Sequence, residues 1–383
     1  MKKLSTKSQF LKLNKKDAQT FLNLIKKKLK SEKFIDNRKK VISEGQFVFF
    51  PLIENKNQIE KLTKYIEPNI FFEIIHRESC NSLDSNLKTI GEILKNDLPP
   101  KIFKLIPKSY DIIGHIAIIE FDRFKNISYR DAIRYKKTFA KALLNTNKIV
   151  KSIYEKKSKI KGRFRLRNLK LLAGKDQPRT IYKENKCIFN LDVKKTYFSP
   201  RLAYERKRLA SYDIKDHELI IDMFAGVGPY SIQIAKVHDV EVYSFDINPI
   251  AYKYLIKNIL LNKMKGKVNA FNINAEELLK STNTLGNELK HKANRIIMNL
   301  PQKTLKFIDV ACFLMKLSGG ILHNYQIVNS QNSIEIAIKS LCLALERSFW
   351  TVEKIIDYRI VRAYSPRLNF VVVDSLIRPS NYP

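Results

Sequence analysis

In the second half of the chain, short apolar runs alternate with longer stretches of helical periodicity. The runs are Leu219–Phe224, Glu241–Asp246, Val268–Asn272, Arg295–Leu300, Gly320–Tyr325, Ile355–Arg362 and Asn369–Leu376. Runs of that length bounded by turn residues predict strands, and the stretches between the first several predict helices. Strand–helix alternation of this kind predicts a doubly wound α/β domain with a mostly parallel sheet. Only Ala363–Leu368 separates the last two strands. A parallel crossover needs about a dozen residues, so these two are expected to form an antiparallel hairpin.

The first half is less regular. Phe21, Leu22, Leu24, Ile25 and Leu29 make a helical stripe between Asp17 and Leu29, and Gln46–Ile53 predicts a strand. Pro99-Pro100 marks a linker. Tyr110–Glu120 is β-rich. Ser128 followed by Asp131 forms a capping box expected to open a basic helix to about Glu155. In Lys159–Arg167 three arginines alternate, so a strand there would put Arg163, Arg165 and Arg167 on one face. These signals divide the chain into an N-terminal domain (1–95), a basic middle domain (100–205) and an α/β domain (206–383).

Composition narrows the partner. The 383 residues are 44% hydrophobic and 28% charged, which excludes a disordered, collagen-like or disulfide-stapled chain. The net charge is +34. Residues 1–210 carry 50 basic and 21 acidic side chains, against 21 and 16 in the remainder. So uneven an excess implies a polyanionic partner, nucleic acid before an anionic membrane. Cys80, Cys187, Cys312 and Cys342 lie too far apart for a zinc or disulfide framework, which suits a reducing compartment. No apolar run reaches the ~18 residues of a membrane span. Met1–Ser5 is followed by no secretory apolar stretch.

Candidate chemistry gathers at strand ends. The first α/β strand runs into Asp222-Met223-Phe224-Ala225-Gly226-Val227-Gly228-Pro229-Tyr230, whose glycines permit a sharp turn and close approach of a ligand. Asp246, followed by Ile247, ends the second strand 18 residues beyond Gly228 and can accept both ribose hydroxyls of an adenosine. The absence of a third glycine favours S-adenosylmethionine over a dinucleotide. Asn299-Leu300-Pro301 ends the fourth strand, where an ordinary turn would use the same residue types. In Tyr197–Arg206, Arg201 and Glu205 stand four apart, the spacing of a helical ion pair.

Together the segments TYFSPRLAYERKRLA, DMFAGVGPYS, DINPIAY, MNLP and VRAYSPR resemble the archaeal/eukaryotic-type tRNA (guanine-37-N1)-methyltransferase family. The upstream YDIIGHIAIIE and GRFRLRNLKLLAG segments are similar to its middle domain. The resemblance implies a class I (Rossmann-like) S-adenosylmethionine-dependent methyltransferase domain with smaller N-terminal α+β RNA-binding domains. It also implies methyl transfer to N1 of guanosine 37 of tRNA, in a monomer working in the cytoplasm, nucleus or mitochondrial matrix. By motif, Arg206, Phe224, Gly226, Asp246, Ile247, Asn274, Ala275 and Asn299 are implied to hold the donor, Asn274 standing where the family has an acid. Glu205 is implied as general base and Arg165 as the partner of guanine O6, with Tyr197, Arg201 and Asn299 shaping the pocket. These roles suit the chemistry. Guanine N1 must lose a proton before it is nucleophilic, and negative charge then builds on O6. No metal is required. Two alternatives carry the same scaffold, an aminocarboxypropyl transferase of wybutosine synthesis and a non-catalytic RNA-binding protein.

Overall fold

Buried apolar residues build the first sheet. In a computed structural model, which describes residues 6–28, 34–36, 39–66, 70–79, 90–158, 160 and 162–380, strand β1 (Thr6–Asn14) buries Ser8, Phe10, Leu11 and Leu13. It pairs antiparallel with β3 (Phe47–Pro51) and β4 (Phe72–Ser79), and β2 (Ile42–Glu44) extends the sheet beyond β3. Helices α1 (Ala18–Lys28) and α2 (Lys56–Tyr65) contribute Phe21 and Leu62 to a core with Leu11, Leu13, Phe50 and Leu52. Both predicted elements are thus present, the strand trimmed at each end. Leu29 and Cys80 lie outside the described residues. Residues 1–97, which close with α3 (Ile90–Asp97), form one compact unit and residues 98–383 another.

The second unit opens with a short helix, α4 (Pro100–Phe103), and a mixed sheet of order β5-β6-β7-β8. The β-rich run folds as the hairpin β5 (Asp111–Ile113) and β6 (Ile116–Ile119), closed by Gly114 at φ +57°. The N-cap half of the expected capping box forms: Ser128 Oγ accepts from Asp131 N at 3.2 Å and opens helix α5 (Tyr129–Thr146). The helix stops well short of Glu155. Asn147 turns the chain, accepting from Ile149 N at 3.1 Å. The next residues become β7 (Ser152–Lys156), parallel to β6 and almost fully buried, followed by β8 (Leu169–Gly174). Burial of this run as a sheet partner overrides the helical spacing that continues through it. β9 (Arg179–Glu184) and β10 (Cys187–Asp192) then form a hairpin whose two turn residues, Asn185 and Lys186, both have positive φ.

After helix α6 (Ala203–Ala210) comes the seven-stranded sheet. Its strands are β11 (Leu219–Asp222), β12 (Glu241–Phe245), β13 (Lys267–Phe271), β14 (Arg295–Met298), β15 (Gly320–Asn329), β16 (Trp350–Ser365) and β17 (Leu368–Pro379), in the order β13-β12-β11-β14-β15-β17-β16. The first five are parallel, and β17 runs antiparallel between β15 and β16. The expected doubly wound sheet and terminal hairpin are both present. Ile221, Ile296 and Met298 pack on one face with the helices Ile308–Leu314 and Ser333–Glu346, while Ile220, Val242 and Ile297 pack on the other with α6 and the helix Ser231–Val237. Covering both faces explains why these strands read as unbroken apolar runs.

Candidate active site

Strand order reverses between β11 and β14, and open α/β sheets bind ligands at the carboxyl ends of strands beside such a reversal. The loop after β11 turns through Gly226 at φ +58° and Gly228 at φ +89°. Asp222 fixes it from below, accepting from Ser231 Oγ at 2.7 Å, and burial pushes its carboxyl up to about 6. Asp246 ties this loop to the next. Its Oδ2 accepts from Gly226 N at 2.7 Å and its Oδ1 from Asn248 N at 2.8 Å, and burial raises its carboxyl above the ordinary range. Asn248 accepts from Ile250 N at 3.0 Å and so caps the helix Pro249–Leu261. Ile247, between them, is half-buried, and the Phe224 ring meets Phe307 edge-on at 4.9 Å. After β13, Asn274 donates to Glu276 at 3.0 Å beside the buried Ala275. Asn299 follows β14, half-buried. Phe224, Gly226, Asp246, Ile247, Asn274, Ala275 and Asn299 therefore all follow the carboxyl ends of the neighbouring parallel strands β11 to β14, along one edge of the sheet.

A cleft of about 620 Å³ holds Arg165, Tyr197 and Arg201. The Arg165 guanidinium lies 5.1 Å from the centre of the Tyr197 ring. Among the described residues of Lys159–Arg167 the expected strand is not formed. Residues 162–165 make a turn in which Arg165 N donates to Gly162 O at 3.2 Å, with φ of +73° at Gly162 and +55° at Arg165. The three arginines therefore do not share one strand face: Arg163 is exposed, while Arg165 and Arg167 line the cleft. Left-handed backbone at a non-glycine residue persists only where surrounding structure enforces it, and such residues gather at functional sites. Arg201 Nε donates to Asp111 at 2.6 Å. Burial alone would raise the Asp111 carboxyl, but hydrogen bonds and charge from Arg201 and Lys156 hold it below the ordinary range.

The Arg201–Glu205 pair suggested by spacing does not form. Pro200–Leu202 is a 3-10 turn, and α6 begins only at Ala203, which sends the two side chains apart. Glu205 is 1% exposed and lies outside the cleft. Its carboxylate accepts from Tyr325 Oη at 2.8 Å, Arg208 Nη2 at 2.6 Å and Arg359 Nη2 at 2.9 Å. Arg208 also donates to Asp374 at 2.7 Å, to which His323 Nδ1 is hydrogen-bonded at 2.6 Å. Arg206, equally buried, grips Glu184 through Nε and Nη2, donates to Ser199 O at 3.1 Å and lies over the Phe198 ring. Its bonds go to β9 and to the segment before α6, so it braces the cleft wall from behind.

Further residues line the cleft without having been singled out from sequence. Among them are Gln302, on the loop after β14, and Arg362 and Tyr364, on β16, with Gln302 Nε2 donating to Tyr364 Oη at 3.3 Å. Arg362 and Tyr364 belong to the VRAYSPR segment, and only the fold of the β16–β17 hairpin brings them here.

Comparison with known proteins agrees with this layout. Residues 180–352 match the TRM5/TYW2 methyltransferase domain and residues 90–177 the TYW2 N-terminal domain. The tRNA (guanine(37)-N(1))-methyltransferase Trm5b of Pyrococcus abyssi is 34% identical over 89% of this chain and 91% of its own. Its crystal structure superposes with a TM-score of 0.64 over 97% of this chain and 99% of that one, at 31% identity. A complex of aTrm5 with tRNALeu gives 0.61 at 28% identity, covering 96% and 99%. Trm5 of Methanocaldococcus jannaschii in complex with adenosine gives 0.58 at 27% identity, covering 98% and 100%. The tRNA(Phe) (4-demethylwyosine(37)-C(7)) aminocarboxypropyltransferase of Methanocaldococcus jannaschii is 34% identical over 70% of this chain and 96% of its own.

Proposed function

The chain belongs to the archaeal/eukaryotic-type tRNA (guanine-37-N1)-methyltransferase family, and from that premise we propose how its crevice and cleft methylate N1 of guanosine 37 in tRNA. The residues fit the donor. Each Asp246 oxygen takes one backbone N–H and keeps a lone pair for a ribose hydroxyl, while Gly226 leaves open space where a side chain would stand. When bound, S-adenosylmethionine supplies a methyl group already activated by its sulfonium. Asp246 grips the ribose, Asn274 and Ala275 border the adenine, Phe224 and Ile247 supply apolar walls, and Asn299 orients the target base.

One observation carries the reading. A Cβ placed on Gly226 would stand 3.8 Å from the carbonyl of Tyr197. The donor crevice and the arginine-lined cleft thus share a wall, and a base beside Tyr197 lies next to the donor. Such enzymes take the target base out of its stack. Arg165 then meets the charge that develops on O6, and Arg201, fixed by Asp111, closes the pocket. By motif the N1 proton goes to Glu205. Its carboxylate is occupied by Arg208, Arg359 and Tyr325 in the free protein, so we assign the transfer to a tRNA-bound state in which that cluster has opened. Arg206 supports this pocket through Glu184 rather than touching the donor.

The test is a nucleoside digest, analysed by mass spectrometry, of unmodified tRNA incubated with the protein and S-adenosylmethionine. N1-methylguanosine at position 37 is expected. A parallel incubation uses tRNA(Phe) carrying 4-demethylwyosine at position 37: an aminocarboxypropyl product there would favour the second reading, which draws on the TYW2 N-terminal match, and no new nucleoside on either tRNA would leave a binding protein. Among the described residues no helix is long and apolar enough to cross a membrane. We further propose that the protein acts as a monomer in the cytoplasm, which sedimentation and cell fractionation would check.

A further inference from the structure

The target cleft holds two arginines that each carry a buried nitrogen without a hydrogen-bond partner among the described residues. Nη1 of Arg165 and Nε of Arg362 are both buried and donate to nothing among the described residues. A buried charged donor left without a partner is expensive, so a pair of them in one cleft marks a place kept for an acceptor that arrives with the substrate. The cleft's own acids do not serve: Asp122, exposed at its edge, pairs with neither arginine among the described residues. Asp111 is taken by Arg201 and Lys156, and Glu120 faces Lys156 at 3.7 Å.

Arg362 is held ready. It lies on β16 opposite Phe370 of β17, with its guanidinium 5.8 Å from the Tyr364 ring. Tyr364 is fixed by Gln302, three residues beyond Asn299. The hairpin tip is therefore tied to the loop that borders the donor crevice. A guanosine taken from its stack brings two anionic places into such a cleft, the oxygen at C6 as N1 is deprotonated and the phosphodiester beside the sugar. On the reading above the first belongs to Arg165. We propose that Arg362 binds the phosphodiester flanking the target guanosine, and so positions the nucleotide for transfer. Arginine suits this because its planar fork matches phosphate oxygens, whereas lysine offers a point charge.

The proposal rests on the methyltransferase reading, so the first measurement is that wild-type protein forms N1-methylguanosine; its failure would remove that reading and not this residue alone. The informative substrates are full-length tRNAs joined from two pieces, each with one uncharged methylphosphonate, either 5′ or 3′ of guanosine 37. Arg362→Gln is expected to raise KM for ordinary tRNA by roughly tenfold or more, with the loss in KM rather than kcat. One of the two methylphosphonates should cost the wild type a similar factor and cost Arg362→Gln almost nothing further. Arg362→Lys should recover part of the loss. S-adenosylmethionine affinity, measured by calorimetry, should match the wild type and shows that the variants fold. The proposal is overturned if KM is unchanged in Arg362→Gln, if the loss falls on kcat at saturating tRNA, or if the uncharged linkage penalises variant and wild type equally.

Discussion

At the scale of single residues, two carboxylates have opposite surroundings. Asp246 is half-buried and accepts from the backbone N–H groups of Gly226 and Asn248, one on each oxygen, so each keeps a lone pair free. Asp246→Ala is expected to weaken S-adenosylmethionine binding by at least tenfold, since a charge-assisted hydrogen bond contributes about 1.5–3 kcal/mol. Titration calorimetry checks this, and an unchanged Kd would remove the ribose role. Glu205 is enclosed by Arg208, Arg359 and Tyr325. If it also takes the N1 proton, Glu205→Gln should lower the single-turnover rate about 100-fold while both substrates still bind. The defect should shrink at higher pH, where guanine N1 ionises unaided. A near-normal rate would leave Glu205 as the anion that holds its two arginines together.

At the scale of elements, the β11 turn and strand β17 carry the sharpest constraints. A side chain at Gly228 would stand 2.4 Å from Leu255 Cδ1, at a φ of +89° that favours glycine. Gly228→Ala should therefore cost stability, on the order of 1–3 kcal/mol by denaturant unfolding, because strain and overpacking add. On β17, burial alone would raise the Asp374 carboxyl, but His323 and Arg208, both hydrogen-bonded to it, hold it well below the ordinary carboxylate range. A depressed folded value stabilises the fold above the unfolded value, near pH 4, and that contribution fades as pH falls toward the folded value. Asp374→Asn should flatten this acid limb in a pH series of unfolding curves. At neutral pH it should cost about 3 kcal/mol, as Arg208 loses a buried counter-charge and His323, held neutral by burial, loses the charged acceptor of its Nδ1 hydrogen bond. An acid limb identical to the wild type would assign the acid sensitivity elsewhere.

At the scale of the whole molecule, the basic excess is concentrated in one stretch of the sequence, residues 98–210. Residues 98–210 hold 30 basic and 9 acidic side chains, against 20 and 12 in residues 1–97. Phosphate contacts release counter-ions, so tRNA affinity should fall steeply with salt while donor affinity barely moves. A fragment of residues 98–383 should keep donor binding and most of the salt slope for tRNA. A cut at residue 211 is a poorer test, because Leu202 and Leu209 share a core with Ile220 and Ile234. Filter binding across a salt series decides it: a slope lost with residues 1–97 would shift the electrostatic grip to that unit.

What the sequence determined by itself was local in origin. The strands of the large sheet, the terminal hairpin, the capped start of α5, the glycine turn and Asp246 all follow from periodicity and turn chemistry within a few residues. Tertiary structure decided the rest. Helix α5 ends at Thr146 because the following run is buried beside β6. Arg165 leaves its expected strand because the chain turns at Gly162, which brings its guanidinium over Tyr197. Glu205 turns away from Arg201 toward arginines on α6 and β16. Arg362 reaches the cleft only through pairing of β16 with β17. Where the deciding partner is distant in the chain, as β6 is for the run after Thr146 and Arg359 for Glu205, spacing along a sequence carries no information about which surface will cover it.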